Sequence, residues 1–252
     1  MQPGRAPEKH LRLNKFLAER IGVSRREADE LIKFGKITVN GKVAVTGARI
    51  DKSDKVCYNK KIIPFNTEYL YLAMNKPVGY VCSRRAQGVS PTIYDLLPKE
   101  YKKLKTVGRL DKDSSGLILL TNDGDFAFRH THPKFKKEKI YEVKLDRPLE
   151  PLHQQMISDF GIMLDDGPSR FTVVKLEKLP SELVRLGLAA RSANSEGDFQ
   201  ASYVVKLTEG RNRQIRRTFA ALGYIVTELH RTNFGIYELN GLKPGKYVKI
   251  KV

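Results

Sequence analysis

The apolar residues change their period at Gly35, and that change limits what the first sixty residues can become. Upstream the spacing is helical. Leu13, Phe16 and Leu17 fall on one stripe, which predicts a short helix over residues 11–20. Ser24-Arg25-Arg26-Glu27 is a capping-box pattern that opens a second helix. Its apolar face is Ala28, Leu31 and Ile32, and Gly35 supplies a left-handed residue at its end. Downstream the period is two. Ile37 and Val39, then Asn40-Gly41, then Val43 and Val45 predict a tight hairpin, because both central residues of its turn need positive φ. Helix, helix and hairpin leave Arg12, Lys15, Arg25, Arg26, Lys33 and Lys36 on the polar sides, a basic surface able to lie along RNA phosphates. A merely solvated helix face is the plainer reading of the same charges.

Charge supports the first of these. The 252 residues carry 46 Lys and Arg against 28 Asp and Glu, a net charge of +18, and such a surplus draws polyanions. The first 68 residues hold 15 basic and 8 acidic side chains, the remainder 31 and 20, so the shorter part is denser in positive charge. No apolar run approaches the ~20 residues a membrane helix needs; the longest is Tyr69 to Met74. The polar opening, residues 1–10, is expected to be disordered and has no secretory apolar stretch, which favours the cytoplasm. Cys57 and Cys82 form no Cys-x-x-Cys motif and no zinc spacing with the five histidines, so no metal is expected.

After a first domain over 11–60, residues 61–68 with Pro64 and Asn66 read as a linker. From 69 to 252 strand-like runs alternate with turns and a few helical segments. The segments are Tyr69–Met74, Thr92–Leu97, Gly116–Thr121, Ile140–Leu145, Phe171–Leu176, Tyr203–Thr208, Arg213–Leu222 and Tyr247–Val252, and in Arg213–Leu222 the residues Phe219 and Leu222 with the Gly223 stop suggest a helix. The expected class is α+β, a mostly antiparallel mixed sheet with flanking helices. Ser192 to Asp198 reads as a surface loop.

Two clusters carry possible chemistry. Gly108-Arg-Leu-Asp-Lys-Asp-Ser-Ser-Gly116 leads into an apolar strand; Arg109 and Asp111 leave the same face of an extended segment while Leu110 turns inward. Local composition alone reads the string as a turn. The second cluster, Glu209-Gly-Arg-Asn-Arg-Gln-Ile-Arg-Arg217, packs four arginines into seven positions. That repulsion is most easily borne where phosphates or a carboxylate neutralise it. Gly-x-Gly-x-x-Gly, Walker and Gly-x-Ser-x-Gly patterns are missing, which leaves no motif for a nucleotide cofactor.

The first domain, on Leu13-Asn-Lys-Phe-Leu17, Ser24-Arg-Arg-Glu-Ala28 and Val39-Asn-Gly41-Lys, resembles the RNA-binding domain named after small-subunit ribosomal protein S4. Asn75-Lys-Pro-Val-Gly79, Gly108 to Leu117, Lys139-Ile-Tyr-Glu-Val143, Glu209 to Arg217 and Glu228-Leu-His-Arg231 resemble, in order, the pseudouridine synthase family that modifies ribosomal RNA. The resemblance implies a cofactor-free isomerisation of uridine to pseudouridine. It implies Asp111 as nucleophile, Arg216 as its ion-pair partner, Tyr141 stacking on the uracil and Arg109 holding the nucleotide out of its helix. Leu110 and Ile215 would pack against the substrate, with Arg213 and Arg217 beside them. The arginine-rich strings are closer in wording to the large-subunit members. Ribosomal RNA, free or in a pre-ribosomal particle, is the expected partner of a monomeric chain, and a transfer RNA stays open as a second substrate. The competing class is a non-catalytic RNA-binding assembly factor on the same scaffold, which would have no use for Asp111, Tyr141 and Arg216 together. An aspartate phosphatase would need a metal cluster that the sequence does not offer.

Overall fold

The computed structural model describes residues 11–66, 68–84, 88–176 and 201–252. The expectations for residues 1–10 and for the loop at Ser192 to Asp198 lie outside the described residues. The chain divides into two units, residues 1–70 with 122–124, and residues 71–121 with 125–252.

The smaller unit runs β1 (Leu11–Arg12), α1 (Leu13–Arg20), α2 (Arg25–Lys33), β2 (Ile37–Val39), β3 (Lys42–Val43), β4 (Arg49–Ile50), β5 (Val56–Tyr58) and β6 (Lys61–Ile62). The capping box closes in both directions: Glu27 N–H donates to Ser24 Oγ at 3.1 Å and Ser24 N–H to Glu27 Oε2 at 2.7 Å. The hairpin turn has positive φ at both Asn40 (52°) and Gly41 (81°), as its two-residue length demands. Leu13, Phe16, Leu17, Ala28, Ile32, Ile37, Ile50 and Val56 form the core.

Two boundaries differ from the sequence expectation. The first helix begins at Leu13, because Leu11 and Arg12 pair antiparallel with Ile50 and Arg49. The stretch expected as a linker opens with β6, which pairs with β5, and Ile63 is buried in the same core. Asn59 and Lys60 make the intervening turn at φ 47° and 66°. A lysine with positive φ is uncommon, so no turn signal marks the place.

In the larger unit β7 (Tyr71–Lys76), β8 (Lys105–Val107) and β9 (Ser115–Thr121) are followed by α3 (Gly124–Thr131), β10 (Lys139–Leu145) and α4 (Pro151–Gln155). Then come β11 (Ile162–Leu164), β12 (Gly167–Ser169), β13 (Thr172–Lys175), β14 (Ser202–Leu207), α5 (Gln214–Ala221), β15 (Val226–Phe234), β16 (Tyr237–Glu238) and β17 (Tyr247–Lys249). Among the described residues the main sheet runs β13-β14-β10-β15-β9-β7-β17, with β16 on β15 and β8 on β9. Its pairings are antiparallel except one, β9 with β15. The α+β class with a mostly antiparallel mixed sheet is therefore the observed one.

The strand with nine residues, β15, is absent from the runs predicted above. Its interior reads Thr-Glu-Leu-His-Arg-Thr-Asn, so it shows neither an apolar run nor a clean alternation, yet Arg231, Thr232 and Asn233 are buried. Thr92–Leu97, by contrast, contains a 3-10 turn over Ile93–Leu96.

The parallel junction needs a residue without a side chain. Gly116 (φ 108°) faces Arg231 so closely that an added Cβ would stand 2.2 Å from the Arg231 carbonyl oxygen and 2.5 Å from its nitrogen. Gly116→Ala is expected to cost about 3 kcal/mol or more. A thermal melt should show the larger unit's transition lowered by roughly 6–12 °C; an unchanged melt would refute the close-approach argument.

Candidate active site

The loop joining β8 to β9 holds the first cluster. Leu110 is buried and its N–H points to Cys82 Sγ at 3.5 Å, while Arg109 is exposed and Asp111 is one-third exposed. The alternation of burial and the turn are both present: Ser114 N–H donates to the Asp111 carbonyl at 3.1 Å, with Lys112 and Asp113 at the corner.

Lys76, at the end of β7, has no role in the sequence reading although Asn75-Lys-Pro-Val-Gly79 contains it. It is fully buried, and its Nζ donates to the carbonyls of Ser114 (2.6 Å), Pro77 (3.0 Å) and Lys112 (3.5 Å). Gly79 N–H also reaches the Lys112 carbonyl, at 2.7 Å. The ammonium thus ties down the backbone just after Asp111. Burial lowers its pKa to about 8, against the opposing pull of Cys82, Asp113 and Asp111.

The second cluster forms the turn into α5. Arg213 precedes the helix in the left-handed conformation (φ 47°). Gln214, only 3% exposed, braces the turn: its Oε1 accepts Arg211 N–H at 3.2 Å and its Nε2 donates to Ser169 Oγ at 3.1 Å and to Glu209. Each of the four arginines meets a carboxylate. Arg211 pairs with Asp166, Arg217 with Asp165 and Asp166, and Arg213 grips Asp113 with two bonds of 3.0 and 2.9 Å. Arg216 Nε lies 3.2 Å from Asp113 Oδ2.

That last distance corrects one expectation. Arg216 was expected to pair with Asp111, but its carboxylate partner here is Asp113, and its other nitrogens donate to the carbonyls of Val226 (2.6 Å) and Asp113 (2.8 Å). The guanidinium closest to Asp111 is Arg213, at 3.9 Å. The turn at Lys112 brings Asp113 against the start of α5, so the second aspartate intercepts both arginines. Burial opposes the charge on Asp113, but the hydrogen bond from Arg213 and the charges of Arg216 and Arg213 outweigh it and hold its pKa below the usual carboxylate value.

Between the two clusters lies a cavity of about 290 Å³, at the lower end of the range of roughly 300–1,000 Å³ for ligand sites. Arg109, Leu110, Asp111, Tyr141, Arg213 and Ile215 all border it. Tyr141 is only 8% exposed, packed into the sheet while bordering the cavity. Arg216 and Arg217 stand behind this wall rather than in it. Lys139, Arg231 and Phe234 also border the cavity and are not expected there from the sequence. Burial, then the charge of Arg231, lowers the Lys139 pKa to about 8 against the pull of Glu209. Of the basic residues in the smaller unit, Arg12, Arg25, Arg26, Lys33 and Lys36 are exposed and Lys15 is half-buried. Among the described residues no group of three His, Cys, Asp or Glu side chains could hold a metal ion.

Known proteins resemble this chain in sequence and fold. The sequence profile of RNA pseudouridylate synthase matches residues 70–221, and that of the S4 domain matches residues 11–56. A ribosomal small subunit pseudouridine synthase A of Pasteurella multocida is 38% identical, covering 94% of each chain. A ribosomal large subunit pseudouridine synthase B of Bacillus subtilis is 34% identical over 93% of this chain and 89% of its own. A crystal structure of a pseudouridylate synthase superposes with a TM-score of 0.64 at 30% identity, covering 96% of both chains. The chain belongs to the RNA pseudouridylate synthase family. It is an enzyme of that class, with an S4 domain ahead of the synthase domain.

The buried ammonium of Lys76 gives a pH test. Between about pH 8 and 10.5 the unfolded chain holds a proton on this group that the folded chain has released, so stability rises with pH in that window. Relative to Lys76→Met, the wild-type unfolding free energy should gain about 2 kcal/mol from pH 7.5 to 9.5. Urea melts at the two values measure it, and a constant difference would contradict the assignment.

Proposed function

We propose that this chain isomerises a uridine of ribosomal RNA to pseudouridine, with Asp111 as the nucleophile. The observation that carries the proposal is one cavity bordered at once by Asp111, Tyr141, Leu110 and Ile215. A carboxylate, an aromatic ring and two aliphatic walls are what an everted pyrimidine nucleotide needs for attack, stacking and retention. Arg213, 3.9 Å from Asp111, gives the carboxylate a cationic neighbour without clamping it. Arg216 acts one step removed, by holding Asp113 and its backbone in place. Exposed Arg109, on the lip beside Asp111, takes the role of keeping the nucleotide out of its helix.

In the reaction the ribose C1′ exchanges its bond to uracil N1 for a bond to C5. The proton lost at C5 is balanced by one gained at N1, so nothing is consumed. The base must stay in the pocket while detached, which is the task of the Tyr141, Leu110 and Ile215 walls. A family relative is named for each ribosomal subunit, and the large-subunit reading of this chain rests on the wording of its arginine-rich strings alone. Mapping pseudouridines in both ribosomal RNAs of cells lacking the protein separates the two.

Asp111→Asn should abolish pseudouridine formation in ribosomal RNA, with RNA affinity kept within a few-fold. Turnover by a clean Asp111→Asn preparation would remove the mechanism, while intact binding without turnover in the wild type would support the assembly-factor reading. In the smaller unit, Arg25→Ala with Arg26→Ala should weaken RNA binding and flatten its dependence on log salt by roughly one unit for each phosphate left without its cation. An unchanged slope would show that this face does not meet phosphates.

A further inference from the structure

Arg231 is a charged side chain left only 2% exposed in the middle of the sheet, and it borders the cavity. Its Nε donates to the Leu117 carbonyl at 2.8 Å, and its guanidinium lies 4.8 Å from the Phe234 ring and 6.0 Å from the Tyr141 ring. Among the described residues no carboxylate pairs with it, and its Nη2 is buried with no hydrogen-bond partner. An orphaned donor on a buried cation is expensive, and native structures keep one where a ligand completes it.

A break in strand register explains the placement. On β10, Ile140 faces Asn233 but the next residue, Tyr141, faces Arg231, so β15 carries an extra residue at Thr232. Such a bulge re-aims side chains. It brings Arg231 and Phe234 to the cavity together, although their spacing would put them on opposite faces of a regular strand.

The geometry points to Arg231 as the residue that reads the base: its unpartnered nitrogen donates to a carbonyl oxygen, O4 or O2, of the pyrimidine held against Tyr141. The inference rests on the functional reading above and deepens it. Guanidinium has donors only. Uracil offers an acceptor oxygen at position 4 where cytosine offers an amino donor, so a donor directed there accepts uridine and refuses cytidine. A backbone phosphate is a poorer match, because a nearly inaccessible guanidinium is within reach of a ring edge and not of a solvated phosphate. Lys139 on the adjacent strand makes the surroundings more positive, which favours the ring when the departing C–N bond leaves its electron pair on it.

The test uses the full-length protein and ribosomal RNAs of both subunits transcribed in vitro, either with uridine or with 4-thiouridine or 2-thiouridine in its place. Sulfur is the weaker acceptor. Arg231→Lys should lower kcat/KM on normal transcripts by roughly 10- to 100-fold, with RNA affinity and melting temperature nearly unchanged. One of the two thio transcripts should lower wild-type turnover several-fold and lower the variant's no further. A folded Arg231→Lys with full activity, or equal sensitivity of both proteins to the thio transcripts, overturns the inference. Where the variant does not fold, the wild type decides: undiminished turnover on both thio transcripts overturns it. A wild type that makes no pseudouridine in normal transcripts overturns the functional reading itself, whereas a working wild type indifferent to Arg231 and to sulfur overturns this inference alone.

Discussion

The site depends on two backbones touching at Gly116 and Arg231. The loop that carries Asp111 ends where β9 begins, and β9 can lie against β15 only because position 116 has no Cβ. The same contact fixes β15, and through it the residues that β10 faces across the cavity. A glycine at this one point thus helps set how far the Asp111 carboxylate stands from the cavity wall that carries Tyr141. Sheet register is hard to shift where both faces are buried, and all seven residues of β9 are buried.

Charge balance is the second organising fact. Four arginines crowd into the turn before α5 and its first turn, and the protein answers them with Asp113, Asp165 and Asp166 rather than with Asp111. Among the described residues Asp111 keeps a loose approach from Arg213 at 3.9 Å. A carboxylate clamped by two short bonds has little left to offer a ligand. Giving the firm pairs to the neighbouring aspartate leaves Asp111 with cations near it and its oxygens available toward the cavity.

Much of this is legible in the sequence, and the exceptions have physical causes. The capping box, the Asn-Gly turn and the change of period announce the smaller unit because each is a local signal. The alternation of an extended chain is enough to turn Leu110 inward and leave Arg109 and Asp111 outside the core. The partner of Arg216 is not legible, because spacing cannot say which of two carboxylates a turn will bring against the helix. Lys76, Lys139, Gln214 and Arg231 escape notice, since a polar residue in a string usually marks solvent. All four are instead enclosed or partly enclosed, and the partners of Lys76 and Lys139 are backbone carbonyls that carry no letter in a sequence. For the same reason β15, whose polar residues face inward, does not look like a strand.

Arg216 binds the Asp113 carbonyl with one nitrogen and the first carbonyl of β15 with another. A loop strapped in this way to a central strand does not fray by itself. Its amide protons should exchange with solvent at rates close to those of the sheet, which would place the loop between β8 and β9 with the slowly opening elements of the larger unit rather than with its fluctuating margin.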